Sequence, residues 1–124
     1  MIKVLTIEDE PLISKMYQKA LGTVDFEVVV STGSDAIDLA KSTQPNIILL
    51  DIMMPEPNGI QVLEKLKSEE DTKNIPVVML TNLSGKYDKS YALSKGAVDY
   101  WVKDEIKIDT LGGKIKTALQ MTIK

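Results

Sequence analysis

The chain has 124 residues, the length of one ordinary domain, and 44% hydrophobic with 27% charged residues is a balance that buries a core without staples and excludes a disordered chain. Its 15 basic and 18 acidic residues leave a net charge of −3, which argues against broad electrostatic binding to nucleic acid or an anionic membrane. Cysteine and histidine are both absent, so any chemistry must run on carboxylates, Lys, Ser/Thr, Tyr or a bound metal.

The first residues run into Glu8-Asp9-Glu10 with no long apolar stretch or small-residue cleavage site, so a signal peptide is not expected. Apolar runs such as Ile47–Leu50 fall far short of a membrane span, and the location expected is cytoplasmic. Lys3–Ile7 reads as a strand buried on both faces, because its apolar residues are continuous rather than alternating. A helix follows over Pro11–Leu21, with Pro11 at a first helical position, Leu12, Met16 and Ala20 as its apolar stripe, and Gly22 as its stop. Phe26–Val30, rich in β-branched residues, gives a second strand. Ser34–Lys41 gives a second helix with Ala36, Ile37 and Ala40 on one side. Ile47–Leu50 is a third strand, and Asn58 caps a helix to Lys67 that gathers Ile60, Leu63 and Leu66. The strand Val77–Leu80, the helix Lys86–Lys95 before Gly96, the strand Val98–Val102 and the helix Asp109–Met121 complete five β-α units. Such alternation predicts an α/β fold, with one parallel sheet, right-handed crossovers and helices on both faces, as a single domain over residues 1–124.

The chemistry lies in what ends each buried run. The first strand meets Glu8 and Asp9, the third stops at Asp51, the fourth at Thr81 and the fifth at Lys103. The carboxyl ends of parallel strands share one edge, where open α/β sheets bind ligands. Taken singly, each residue has an ordinary reading: acids favour a helix N-terminus, Asp51 turns the chain, Thr81 caps a helix and Lys103 is an exposed strand end. Complementary groups on four strand ends are harder to read as coincidence. Clustered carboxylates raise one another's pKa unless a cation neutralises them, and Mg²⁺, with oxygen ligands and retained waters, suits them. A carboxylate can also be the nucleophile that accepts a phosphoryl group, a transfer that needs positioned charges such as Lys103 and Thr81 more than a base. No G-x-G-x-x-G or P-loop is present, and Met53 stands where an aspartyl-phosphate phosphatase would want a second acid. Neither a nucleotide-binding enzyme nor an aspartyl-phosphate phosphatase is therefore expected.

These residues resemble a two-component response-regulator receiver domain over the whole chain. The matching pieces are Glu8-Asp9, the stretch Leu49-Leu50-Asp51-Ile52-Met53-Met54-Pro55 with Asn58-Gly59, Thr81, Gly96-Ala97-Val98-Asp99-Tyr100, and Lys103. The resemblance implies a flavodoxin-like three-layer (βα)5 fold with strand order 2-1-3-4-5. It also implies that Asp51 is the phosphoacceptor and that Glu8, Asp9, Asp51 and the backbone carbonyl of Met53 hold Mg²⁺. Thr81 and Lys103 would contact the phosphoryl oxygens, and Tyr100 would be an aromatic switch coupled to Thr81. The output face would be the fourth helix, fifth strand and fifth helix. The phosphodonor implied is a histidine on a sensor histidine kinase or a histidine phosphotransfer protein, and a phosphorylation-dependent dimer is a further possibility. No output domain is expected within residues 1–124, whether the receiver stands alone or is part of a longer protein, and no direct nucleic-acid or membrane contact is expected. The alternative is a receiver-like interaction module that works without phosphorylation.

Four positions depart from the family pattern. Asp104 replaces the Pro that usually follows the lysine, so a trans bond and a rerouted loop are expected. Asn82 replaces a small residue and is expected to crowd or hydrogen-bond the phosphate. Pro57 stiffens the loop over Asp51. Gly112-Gly113 softens the last helix or admits the ring of Trp101, because alternation sends Tyr100 towards the fourth helix and Trp101 towards the fifth. Tyr87 and Tyr91, four apart, are expected to bring an aromatic cluster beside Tyr100.

Overall fold

The apolar runs become the strands of one parallel sheet: β1 (Ile2–Ile7), β2 (Phe26–Ser31), β3 (Ile47–Leu50), β4 (Val77–Thr81) and β5 (Asp99–Val102), in the order β2-β1-β3-β4-β5. This computed structural model describes residues 1–22, 25–83 and 85–122, the side chains of residues 86, 87, 121 and 122 excepted. The helices are α1 (Pro11–Leu21), α2 (Ala36–Thr43), α3 (Gly59–Ser68), α4 (Lys86–Ser94) and α5 (Leu111–Thr122). Every residue of the central strands β3 and β4 is buried, which is why their sequences are continuous apolar runs.

Alternation along each strand divides the core in two. On one face Leu5, Ile48, Val77 and Tyr100 pack with Ala40 of α2, Leu63 of α3 and Ala92 of α4. On the other, Val4, Leu49, Val78 and Trp101 pack with Tyr17 and Leu21 of α1 and Ile115 of α5. Asn58 caps α3 as expected: its side chain accepts from the Gln61 N–H at 3.0 Å, and the Asn58 N–H donates to the Gln61 side-chain Oε1 at 2.8 Å.

Two expectations need correction. The buried side of α1 is Ser14, Tyr17 and Leu21, whereas Leu12 and Met16 are 76% and 53% exposed. This helix carries apolar residues on two sides, and the sheet takes the side with the larger Tyr17 and Leu21. The last helix starts at Leu111 rather than Asp109, after 3-10 turns at Lys103–Glu105 and Ile108–Thr110. The Lys103–Asp104 bond is trans, as expected; the cis bond among the described residues is Glu56–Pro57. No helix among the described residues is long and apolar enough to cross a membrane.

Candidate functional site

Sheet register brings the acidic residues together. Ile7 pairs with Leu50, and the Asp51 N–H donates to the Ile7 carbonyl at 3.1 Å, so Glu8 and Asp51 leave the sheet side by side. Asp51 is 4% exposed. Its Oδ1 accepts the Met53 N–H at 3.1 Å and its Oδ2 accepts from Lys103 Nζ at 2.9 Å. The Met53 side chain itself faces solvent.

Glu8 is 2% exposed, and Lys103 Nζ donates to its Oε1 as well. Burial pushes the Glu8 carboxyl up to about 7; the Lys103 hydrogen bond opposes this, and the neighbouring Asp51 charge adds to it. Burial also works against the Lys103 charge. The bonds to Glu8 and Asp51 outweigh it and hold that ammonium above its usual range. This bridge between the fifth strand end and the first was not foreseen from sequence, which placed Lys103 on the phosphate alone.

Asp9 completes the acidic group. Glu8, Asp9 and Asp51 each offer an oxygen, and all three lie within 4.8 Å of one another. Asp9 Oδ1 is buried without a hydrogen-bond partner, a costly state for a carboxylate oxygen unless a cation or water meets it. An all-oxygen donor set with an orphaned carboxylate oxygen fits a hard cation such as Mg²⁺.

Thr81 is fully buried, and its Oγ1 accepts only a long 3.5 Å bond from the Leu83 N–H. The ring of Tyr100 is directed inward, and its hydroxyl donates to the Leu83 carbonyl at 2.6 Å. Burial, with the charges of Asp88 and Asp51, pushes that phenol up to about 12. Asn82 Oδ1 accepts the Asp104 N–H at 3.2 Å. Tyr91 is 48% exposed beneath the Lys95 ammonium and is absent from the buried cluster that holds Tyr100; the Tyr87 side chain lies outside the described residues.

Trp101 does face α5, but the glycine pair serves it only in part. A Cβ on Gly112 would meet the Phe26 ring at 3.1 Å, so Phe26 and not Trp101 uses that gap. Gly113 and Trp101 line one cavity of about 350 Å³, and the indole N–H donates to Asp99 at 2.9 Å.

A family model for the response regulator receiver domain matches residues 4–116. A probable transcriptional regulator, ycf27 of Porphyridium aerugineum, is 36% identical over 82% of this chain and 41% of its own length. The polar-differentiation response regulator DivK of Brucella ovis is 29% identical over 94% of both chains. Among solved structures, the receiver domain of the Francisella response regulator 1452 superposes with a TM-score of 0.87 at 26% identity, covering 98% of this chain and 99% of that one. The chain spans about half the length of the curated transcriptional regulators it matches, 41% to 49% for three of them.

Proposed function

This chain belongs to the response regulator receiver domain family, the phospho-accepting module of two-component signalling, and from that premise we propose that Asp51 is its phosphoacceptor and that Mg²⁺ is its cofactor. One observation carries the reading: a buried carboxylate at the end of β3 shares a 4.8 Å cluster with Asp9 and Glu8 and is bonded to a partly buried ammonium. The phosphodonor is a phosphohistidine on a sensor kinase or phosphotransfer protein, as the family uses, and the absence of histidine from this chain is consistent with that. Leu12 and Met16 on α1, and Met53 on the loop after Asp51, are exposed apolar side chains of the kind a protein donor covers.

In the transfer, an Asp51 oxygen attacks phosphorus, the P–N bond breaks, and the imidazole nitrogen keeps the electron pair and takes up a proton. Glu8, Asp9, Asp51 and the Met53 carbonyl would hold Mg²⁺, which would neutralise charge on the phosphoryl oxygens. Lys103 is already on Asp51 and meets the incoming charge with one hydrogen bond exchanged. The Thr81 hydroxyl, weakly engaged, is free to donate to a second phosphoryl oxygen. Movement of Thr81 is felt by Leu83 and hence by Tyr100, which lines a groove of about 420 Å³ with Lys89, Trp101, Glu105 and Lys114. That groove between α4 and α5 suits the output face, where a partner or second copy would dock.

Incubation with acetyl phosphate and Mg²⁺, followed by intact-mass measurement, tests the reading. The parent should gain one phosphoryl group and Asp51→Asn none. A parent that gains no mass, or an Asp51→Asn protein that does, overturns it and leaves an interaction module that works without phosphorylation.

A further inference from the structure

Thr81 and Val102 are paired in register, and there the β4–β5 ladder ends. Nothing in the sheet then prevents the two chains from splaying, although Thr81 and Lys103 flank the acceptor at that point. The next link across the gap comes from a side chain: Asn82 Oδ1 accepts the Asp104 N–H at 3.2 Å. It acts as one more rung beyond the strand ends, with a side-chain carbonyl standing in for a main-chain one. Both residue types are required. Proline at 104 would carry no N–H, and a small apolar residue at 82 would offer no acceptor. The same loop is tied again at the next residue, where the Tyr100 hydroxyl holds the Leu83 carbonyl.

We propose that Asn82 is a positioning residue: its clasp on the Asp104 main chain sets the separation of the Thr81 hydroxyl and the Lys103 ammonium for phosphoryl transfer to Asp51. The proposal rests on the reading of Asp51 as phosphoacceptor. The hydrogen bond of the Asn82 side chain goes to the Asp104 main chain and not to Glu8, Asp9 or Asp51, so the clasp acts through the neighbours Thr81 and Lys103. Transfer reactions are sensitive to such placement, with about 100-fold lost for a 1 Å error. A single neutral, exposed hydrogen bond restrains less than that, so the loss expected on removing it is on the order of threefold to tenfold in rate.

Two measurements test the clasp. The first needs no phosphodonor: the Asp104 amide should be protected from hydrogen exchange in the parent and in Asp104→Ala, and should lose that protection in Asn82→Ala. The second is the rate of phosphoryl uptake from saturating acetyl phosphate. It should fall by the stated factor in Asn82→Ala and in Asp104→Pro, and stay at the parent value in Asp104→Ala, which keeps the N–H. The double variant Asn82→Ala/Asp104→Pro should be no slower than the slower single variant, because both remove the same bond. Mg²⁺ affinity by calorimetry should be the same in all of them. Additive losses, an Asp104→Ala protein as slow as Asp104→Pro, or an unprotected Asp104 amide in the parent overturns the clasp. A parent that protects this amide but takes up no phosphoryl supports the clasp as a structural link and overturns the phosphoacceptor reading instead.

Discussion

On the β1–β3 side of the rim, the functional groups hang from main chain that the sheet itself holds. The Asp51 N–H bonds the Ile7 carbonyl, the Glu8 N–H bonds the Ser31 carbonyl at 3.0 Å, and Gly59 at the start of α3 lies directly against the Asp51 main chain. On the β4–β5 side the ladder has ended, and the loops that follow Thr81 and Val102 are tied by a side-chain amide and a phenol. The acidic cluster is thus a consequence of strand register, whereas the spacing of Thr81 and Lys103 depends on a few replaceable side chains. Lys103 joins the two sides, since it rises from the second and bonds Glu8 and Asp51 on the first.

Cutting that connection should have the largest effect. Lys103→Met leaves two buried carboxylates without their cation, a loss of about 3 to 5 kcal/mol in urea unfolding at pH 8. At pH 5 Glu8 carries a proton and needs no cation, so the loss should be smaller there. An equal loss at both pH values would show that the bridge to Glu8 is not what joins the two sides.

A crowding substitution on the sheet-held side comes next. A Cβ on Gly59 would stand 2.1 Å from the Asp51 carbonyl oxygen and 2.5 Å from the Ile52 Cα, both main-chain atoms that cannot swing away. Gly59→Ala should therefore destabilise by about 3 kcal/mol. Asn82→Ala, which removes one exposed bond on the other side, should cost about 1 kcal/mol or less. If the two variants unfold at the same urea concentration, the contrast between the sides does not hold.

A third test is pH. The folded-state pKa of Glu8 lies above its ordinary value of 4.5, at about 7. Between those values the folded metal-free protein keeps a proton that the unfolded chain has lost. The stability from this group is therefore complete below pH 4.5 and is lost as pH rises through about 7. A cation competes with that proton, so Mg²⁺ affinity should rise with pH, by up to about tenfold between pH 6 and pH 8. In Glu8→Gln the slope should flatten. A parent whose Mg²⁺ affinity is level across this window would place Glu8 outside the metal's influence.

The sequence already carries the sheet, because β3 and β4 are uniformly buried and leave no alternative to continuous apolar runs. The rim is legible for the same reason: an acid directly after Ile47–Leu50 must sit where the strand ends. The face of α1 is not legible, since periodicity cannot choose between Leu12-Met16 and Tyr17-Leu21 when both recur at helical spacing. Nor is the Lys103–Glu8 bond, which joins residues 95 apart in the chain and depends on how far a lysine side chain turns. Asn82 and Asp104 each stood out as departures from the family pattern, but their pairing needs the two loops side by side. Gly112 was matched to the wrong ring for a similar reason: Phe26 on β2 approaches α5 from across the sheet.

The smallest effect separates those two glycines and asks how far the adjustable side of the rim extends. Glycine within a helix costs about 0.5 to 1 kcal/mol relative to alanine. A Cβ at Gly113 would meet nothing within 4 Å, so Gly113→Ala should recover that cost unopposed and raise Tm by about 2 to 4 °C. At Gly112 the same atom would press on Phe26, which is 8% exposed, and would meet the Leu21 side chain at 3.8 Å, so Gly112→Ala should recover less or lose. The new methyl at 113 enters the cavity that Trp101 lines, and the emission of the single tryptophan should shift in that variant. Phosphoryl uptake should not change, because neither glycine touches the residues at the strand ends. Should Gly113→Ala slow uptake as much as Asn82→Ala does, the helix itself would be part of what sets Thr81 and Lys103 apart, and the adjustable side would reach from the loops into α5.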